Sequence, residues 1–381
     1  MTQARRAMIH DDETVTAKAI LDAHDIDALL SFVDSVLPTL RLENGLFCFD
    51  RTFDSVELRG ESIRYSILVL LGLLKQTQHG VTPSIDPNGL YTAIRAHIER
   101  LGVGDLSLLL WAEARMKASR APSTLERLES AARNQQGLGD LEGMEAAWYV
   151  LGTLEATVAG FARRDSFNRA YSHFLSRRAS SSPLFRHTVG GARANLPNFA
   201  TQIYSLLALA EVVRHQLMPD AVDRARSLAD KLIELRLPDA GWPWLFRADQ
   251  GVVIEPYEVY SVHQDAMAPM ALFALTEATG DQSYARAAVE GFQWCFGRNE
   301  LGFKFYDPIN RFAHRSIKRR GSAHSFNLWA NTGLGGVLGL AARTGIGDVE
   351  INSTCRPYHL GWILEAWTGR QHLHELVPAS I

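Results

Sequence analysis

This 381-residue chain is short of cysteine, of charge imbalance and of long apolar runs, and each shortage removes a class of protein. Three cysteines, Cys48, Cys295 and Cys355, are sparse and odd in number. They argue against a disulfide framework and for a reducing compartment. Lys and Arg number 39 against 42 Asp and Glu, a formal net charge of −3. That balance gives no electrostatic footprint for nucleic acid or an anionic membrane. The longest apolar run, 67–74, falls far short of the ~20 residues a membrane span needs. The opening MTQARRAMIHDDETV has basic residues with no apolar stretch behind them, so it does not read as a secretory signal. A soluble, cytoplasmic protein is expected.

Chemical signatures are missing as well. HExxH and paired CxxC are absent, so no zinc site is indicated. No Walker A loop and no GxSxG elbow occurs. The GLGGVLG run at 333–339 follows no strand and has the wrong spacing for a nucleotide loop, so close helix packing is its better reading. Neither a metal nor an organic cofactor is expected.

What the chain has is helix after helix, in two kinds. Residues 63–74 (IRYSILVLLGLL), 144–158, 203–213, 266–278 and 334–342 are apolar nearly all round, which marks helices buried on every face. Others are amphipathic. In 221–236, Ala225, Leu228, Ala229, Leu232 and Leu235 recur at 3 to 4 spacing, with Asp223, Arg224, Asp230, Lys231 and Glu234 opposite. Residues 283–296 repeat this, and 91–100 and 166–177 do so more weakly. The stretch 118–138 is polar and reads as a loop. Strand signals are confined to 251–254 and 302–306. Buried helices alternating with half-exposed ones predict two concentric layers. With no Pro/Gly/Ser-rich linker, the expectation is one all-α domain over 13–381, a closed (α/α)6 toroid of about twelve helices with a few short loop strands, and residues 1–12 frayed.

The segment LADKLIELRLPDAGWPW, 228–244, resembles the helix and "DGGW" turn of the α/α toroid superfamily. That superfamily includes six-hairpin glycosidases, sugar epimerases, uronate lyases and terpenoid cyclases. The resemblance implies an active site at one mouth of the barrel, lined by the first turns of the inner helices and the loops that lead into them.

That expectation directs attention to polar clusters just before apolar helices. The richest is EPYEVYSVHQD, 255–265, with Glu255, Tyr257, Glu258, Tyr260, His263, Gln264 and Asp265. Asp265 or Ser261 alone would serve as a helix cap. Two tyrosines, a histidine and three carboxylates together suit general acid/base chemistry. In NLPNFATQIY, 195–204, Asn198 and Gln202 share a helix face at i, i+4, suited to hydroxyl groups, although Asn198 is also a natural N-cap. CRPYHLGWILEAW, 355–367, puts Arg356, Tyr358 and His359 ahead of an apolar segment. HRSIKRR, 314–320, is a basic cluster whose Arg315 suits a carboxylate or phosphate, or merely a solvated loop. ELRGESIRY, 57–65, adds Arg64 and Tyr65, with Arg59 and Glu61 as a local ion pair. Trp242 and Trp244 lie in the turn and suit stacking on sugar rings; Trp111, Trp148, Trp294, Trp329, Trp362 and Trp367 read mostly as core.

The leading expectation is a carbohydrate-active enzyme of intracellular glycan metabolism. It would act by acid/base chemistry on a glycoside or uronic acid residue, through hydrolysis, elimination or epimerisation. Glu258, His263, Asp265, His359 and Tyr260 are the candidate catalytic residues. Trp242, Trp244, Glu255, Tyr257, Gln264, Asn198, Gln202, Arg315, Arg356 and Tyr358 are the candidate binders of a small-molecule or oligosaccharide substrate. A terpenoid-cyclase-like enzyme acting on a polyprenyl substrate is the rival. The missing DxDD motif weighs against it, and DDET at 11–14 does not match the metal-binding motif of the other cyclase class. A non-catalytic toroid that binds a partner through its mouth is the third possibility. The 255–265 and 356–359 clusters are expected to meet across one cavity.

Overall fold

The computed structural model describes residues 21–133, 141–320 and 349–376, apart from positions 24 and 192. The expectations for 1–12, DDET, Trp329, 334–342 and the GLGGVLG run lie outside the described residues. Twelve α-helices occur among those described: α1 Ile26–Val36, α2 Ile63–Gln78, α3 Pro87–Arg95, α4 Val103–Met116, α5 Ala121–Arg133, α6 Gly143–Val158, α7 Arg164–Leu175, α8 Phe199–Arg214, α9 Ala221–Glu234, α10 Ala268–Thr279, α11 Gln282–Phe292 and α12 Pro357–Trp367.

Six of them form an inner ring. α2, α4, α6, α8, α10 and α12 each pack on the next, and α12 closes back onto α2. These are the most deeply buried helices; α2 is buried without a break from Ser66 to Leu74. Helix α4, which the sequence reading passed over, belongs here too. The outer layer is amphipathic: α3 packs on α2, α5 on α4, α7 on α6, α9 on α8 and α11 on α10, while α1 covers α12. The polar 118–138 stretch is therefore largely helix α5. An outer helix needs only one apolar stripe, and Ala121, Leu125, Leu128 and Ala132 supply it at helical spacing.

Ring closure depends on glycine. A Cβ on Gly72 of α2 would collide with the carbonyl oxygen of Gly361 in α12, and one on Gly361 would lie 2.7 Å from Val69 Cα. Gly152 in α6 meets the Ser107 carbonyl of α4 in the same way. Backbones approach there to distances that no side chain permits.

Short strands collect at the N-terminal ends of the inner helices. β1 (Asp50–Thr52) pairs with β2 (Leu58–Arg59) just before α2 and with β10 (Thr354–Cys355) just before α12, joining first and last hairpins. β3 (Leu245–Arg247) pairs with β4 (Val252–Glu255). β5 (Val259–Tyr260) pairs with β8 (Ser316–Arg319), which pairs with β9 (Val349–Asn352). β6 (Tyr306–Asp307) pairs with β7 (Phe312–Ala313), so most of 302–306 is loop. Among the described residues no helix is long and apolar enough to cross a membrane.

Candidate active site

The inner helices point their N-termini at one mouth, and a cavity of about 200 Å³ opens there. First-turn and second-turn residues line it: Arg64, Tyr65 and Leu68 of α2, Met144 and Trp148 of α6, Ala200 and Tyr204 of α8, and Tyr358 of α12. Trp244, Tyr260 and Arg315 enter from the strand layer, and His263 and Met267 from a π-turn, His263–Met267, that leads into α10.

The π-turn has a local cause and a consequence. Pro269 lacks the N–H that would bond the carbonyl four residues back. That carbonyl belongs to Asp265, and it instead accepts Trp367 Nε1 at 2.7 Å. The turn is thereby pinned to α12. Such π-bulges recur at functional sites.

Asp265 itself is fully buried. Its carboxylate accepts from Tyr306 Oη at 2.6 Å and from Cys295 Sγ at 3.3 Å, and it lies 2.8 and 2.9 Å from His359 Nε2. A carboxylate only accepts, so Nε2 of His359 is the donor in this contact. The two sequence clusters therefore do meet, but Asp265 lies under the floor, bonded to His359 and not lining the cavity. His359 shares a small crevice with Arg315, Arg356 and Tyr358 beside the main cavity.

His263 lies on the cavity wall with its ring parallel to Trp244 at 6.0 Å and edge-on to Tyr260 at 5.0 Å. Its Nδ1 has no hydrogen-bond partner. Burial first, then the positive charge of Arg315 and the neighbouring His359, push its pKa down to about 3. It is neutral at physiological pH. The phenols shift the other way. Burial raises Tyr260 to about 12, with Glu258 adding and Arg315 opposing. Tyr65 also rises to about 12, from burial and then the adjacent Tyr358, against Arg356 and Arg315. Both remain protonated donors.

Three arginines reach the mouth. Arg64 is neutralised by Asp105 at 2.5 Å and Glu145 at 2.7 Å. Arg315 stands 5.0 Å over the Tyr260 ring. Arg356, the N-cap residue of α12, donates to Tyr65 Oη at 2.7 Å and stacks 4.3 Å over Phe49. Glu258 is half-buried behind this group, accepting from Ser316 Oγ at 2.8 Å and Asn352 Nδ2 at 3.4 Å. No carboxylate occurs among the described lining residues of the cavity.

Several sequence candidates are placed in structural roles instead. Trp242 is 1% exposed and packs on Phe199 inside the wall, whereas Trp244 lines the cavity. Glu255 is buried in an ion pair with Arg319 at 3.0 Å, and Tyr257 donates to Glu300 at 2.8 Å. Gln264 accepts from the Trp242 backbone N–H at 2.7 Å. Gln202 clasps the Phe185 backbone N–H and carbonyl at 2.9 and 2.7 Å. Asn198 caps α8 by accepting from Thr201 N–H at 2.9 Å. Of the basic cluster only Arg315 reaches the cavity; Lys318 and Arg320 pair with Glu350, at 3.3 and 3.4 Å. Arg59 pairs with Asp50 at 2.7 Å and Glu61 with Arg100 at 2.9 Å, not with each other. Trp148, expected in the core, and Tyr204 come to the mouth through their place in the second turns of α6 and α8. Glu155, Glu211 and His215 gather within metal-ligand spacing at the opposite end of the barrel. There Arg214 already pairs with Glu211 and approaches Glu155 at 4.0 Å.

No family model and no curated protein matches the sequence. Solved structures match in shape. Cellobiose 2-epimerase from Bacillus thermoamylovorans B4167 superposes with a TM-score of 0.63 at 9% identity, over 91% of this chain and 99% of that one. A sugar epimerase from a ruminal bacterium gives 0.59 at 10% identity, over 91% and 98%. An unsaturated glucuronyl hydrolase specific for heparin gives 0.57 at 13% identity, over 92% and 96%. With the closed double ring of helices, these likenesses identify the fold as an α/α toroid.

Proposed function

We propose that this chain is a carbohydrate-active enzyme that moves a proton on and off a carbon beside a carbonyl-type group of a sugar. Epimerisation and β-elimination are the outcomes this chemistry gives. The observation that carries the reading is the lining: His263, Tyr260, Tyr358 and Arg315 converge from separate elements, and no carboxylate joins them among the described lining residues. Glycoside hydrolysis ordinarily takes two carboxyl groups roughly 5–9.5 Å apart across the bond.

In this mechanism a histidine nitrogen takes the proton. The C–H electron pair becomes a C=C bond, and the carbonyl π pair moves onto oxygen. Arg315 and a phenol of the mouth stabilise that oxyanion. Return of a proton to the opposite face inverts the carbon; departure of a β-alkoxy group, protonated as it leaves, gives elimination. His263 is the candidate base on the cavity wall, and His359, braced by Asp265, the candidate on the Arg315 side. Trp244, Trp148 and Tyr358 would stack on the ring. Glu258 would act at one remove, through Arg315 and Tyr260. A cavity of about 200 Å³ suits one sugar ring better than a long polyene. The buried, unbridged Cys48, Cys295 and Cys355 support a reducing, cytoplasmic setting.

Product analysis tests this. Neutral sugars, uronates and uronate disaccharides are incubated with the protein and followed by NMR. An inverted carbon or a new C=C bond is expected. Release of a hydrated reducing end, lost in Glu258→Gln, would instead establish hydrolysis.

A further inference from the structure

We infer that the substrate of this site carries a carboxylate, held between Arg315 and Arg356 and bonded to the carbon that loses its proton. The inference deepens the function proposed above and rests on it.

Six other buried or half-buried guanidinium groups in this protein are paired with acids. Arg64, Arg95, Arg115, Arg236, Arg319 and Arg370 each lie 3.0 Å or less from a carboxylate. Arg315 and Arg356 have no carboxylate within 4 Å among the described residues; each keeps a buried Nε–H without an acceptor, as the acid-paired Arg236 does, but has no acid to offset its charge. Buried unpaired donors are uncommon and costly, and an uncompensated buried cation more so. These two sit together: both line the crevice that also holds Tyr358 and His359, and the crevice shares Arg315 and Tyr358 with the main cavity. The N-terminal ends of the inner helices add positive potential at the same mouth. Glu258 is bonded to Ser316 and Asn352 instead.

Neutral hydroxyl groups would leave this charge unanswered. A carboxylate matches it, since planar guanidinium forks fit its two oxygens. It also completes the chemistry. When the α-proton passes to a histidine, the C–H pair forms a C=C bond and the carboxylate takes a second negative charge. Two guanidinium groups neutralise that dianion. An anion at Arg315 gives His263 a partly neutralised neighbour, which favours its protonation.

Isothermal titration at low ionic strength, with glucuronate, glucose and glucose 6-phosphate as probes, tests the inference without requiring turnover. Glucuronate should bind at least about tenfold tighter than glucose, equivalent to about 1.4 kcal/mol. Arg315→Gln and Arg356→Gln should each erase that preference, and the lysine variants should retain part of it, keeping charge without the fork. Equal binding of glucuronate and glucose by the unaltered protein would overturn the inference, as would tighter binding of glucose 6-phosphate. Those comparisons stand even if a glutamine variant fails to fold. Glucuronate preference without any C–H exchange would leave the clasp intact and defeat the proposed reaction; exchange on neutral sugars without the preference would do the reverse.

Discussion

His359 and Asp265, 94 residues apart in sequence, meet beneath the mouth of the barrel with Nε2 2.8 and 2.9 Å from the two carboxylate oxygens. This pairing orients the His359 ring and makes Nε2 its donor to the carboxylate. Asp265→Asn keeps the shape but offers one acceptor and a competing N–H₂ donor. We expect it to cut kcat by about 10²–10⁴, the range for a lost or misaligned acid/base group. Stability should fall by only ~1–3 kcal/mol, the cost of unsatisfied buried partners. Steady-state kinetics beside urea unfolding separate the two effects; full activity in the variant would remove His359 from the mechanism.

Acid should unfold the protein through its buried neutral histidines. Burial holds His263 at about 3 and His314 at about 4, below the ordinary histidine value of roughly 6.5. Between those values the unfolded chain binds protons that the folded chain does not, so stability falls as pH drops. Each histidine contributes a slope of roughly 1.4 kcal/mol per pH unit over its window. Urea unfolding at pH 7 and pH 5 should show the loss, and His263→Gln should reduce it by the share of one histidine. A variant as acid-sensitive as the parent would mean that His263 is not buried neutral.

The two neighbouring tryptophans should respond in opposite ways. Trp242 is buried in the wall, so Trp242→Ala should cost ~3–5 kcal/mol of stability. Trp244 lines the cavity, so Trp244→Ala should chiefly weaken sugar binding, by ~0.5–1.5 kcal/mol. Thermal melts and ligand titrations on both variants check this. Equal binding losses in the two would contradict the placement.

Closure of the inner ring should be sensitive to a single methyl group. Gly72→Ala forces a Cβ against the Gly361 carbonyl oxygen in α12. Overpacking of this kind typically costs ~1–3 kcal/mol, and backbone gives less than a side chain would. Gly80→Ala meets no atom within 4 Å, but it sits at φ +75, so it reports backbone strain alone. Chemical denaturation should rank Gly72→Ala as the more damaging. The reverse ranking would show that α2 and α12 do not pack through these glycines.

The ring was legible where a helix had apolar residues on every face, as in α2, α6, α8 and α10. It was not legible in α4, because Glu113 and Arg115 interrupt its apolar run. Their charges are answered only in three dimensions, by Arg95 at 3.0 Å and by a two-pronged pairing with Glu365 at 2.7 and 2.8 Å. The 255–265 cluster lies at the mouth, yet its members diverge. Glu255 and Tyr257 turn to Arg319 and Glu300, whereas Tyr260 and His263 face the cavity. A strand followed by a π-turn sorts neighbouring side chains to opposite sides, and a count of polar residues does not reveal that sorting. Arg64 and Tyr65 were visible as a cluster, but their convergence with Arg356 depends on α12 packing beside α2.

The central claim is that this site moves a proton on carbon, and hydrogen exchange in deuterium oxide tests it most directly. With a uronate or reducing sugar as substrate, NMR should show solvent deuterium entering the carbon beside the carboxylate or carbonyl. His263→Gln or Asp265→Asn should slow that entry by about 10²–10⁴. Cleavage of a glycosidic bond by the active protein, with no deuterium in any C–H position and with activity lost in Glu258→Gln, would contradict the account.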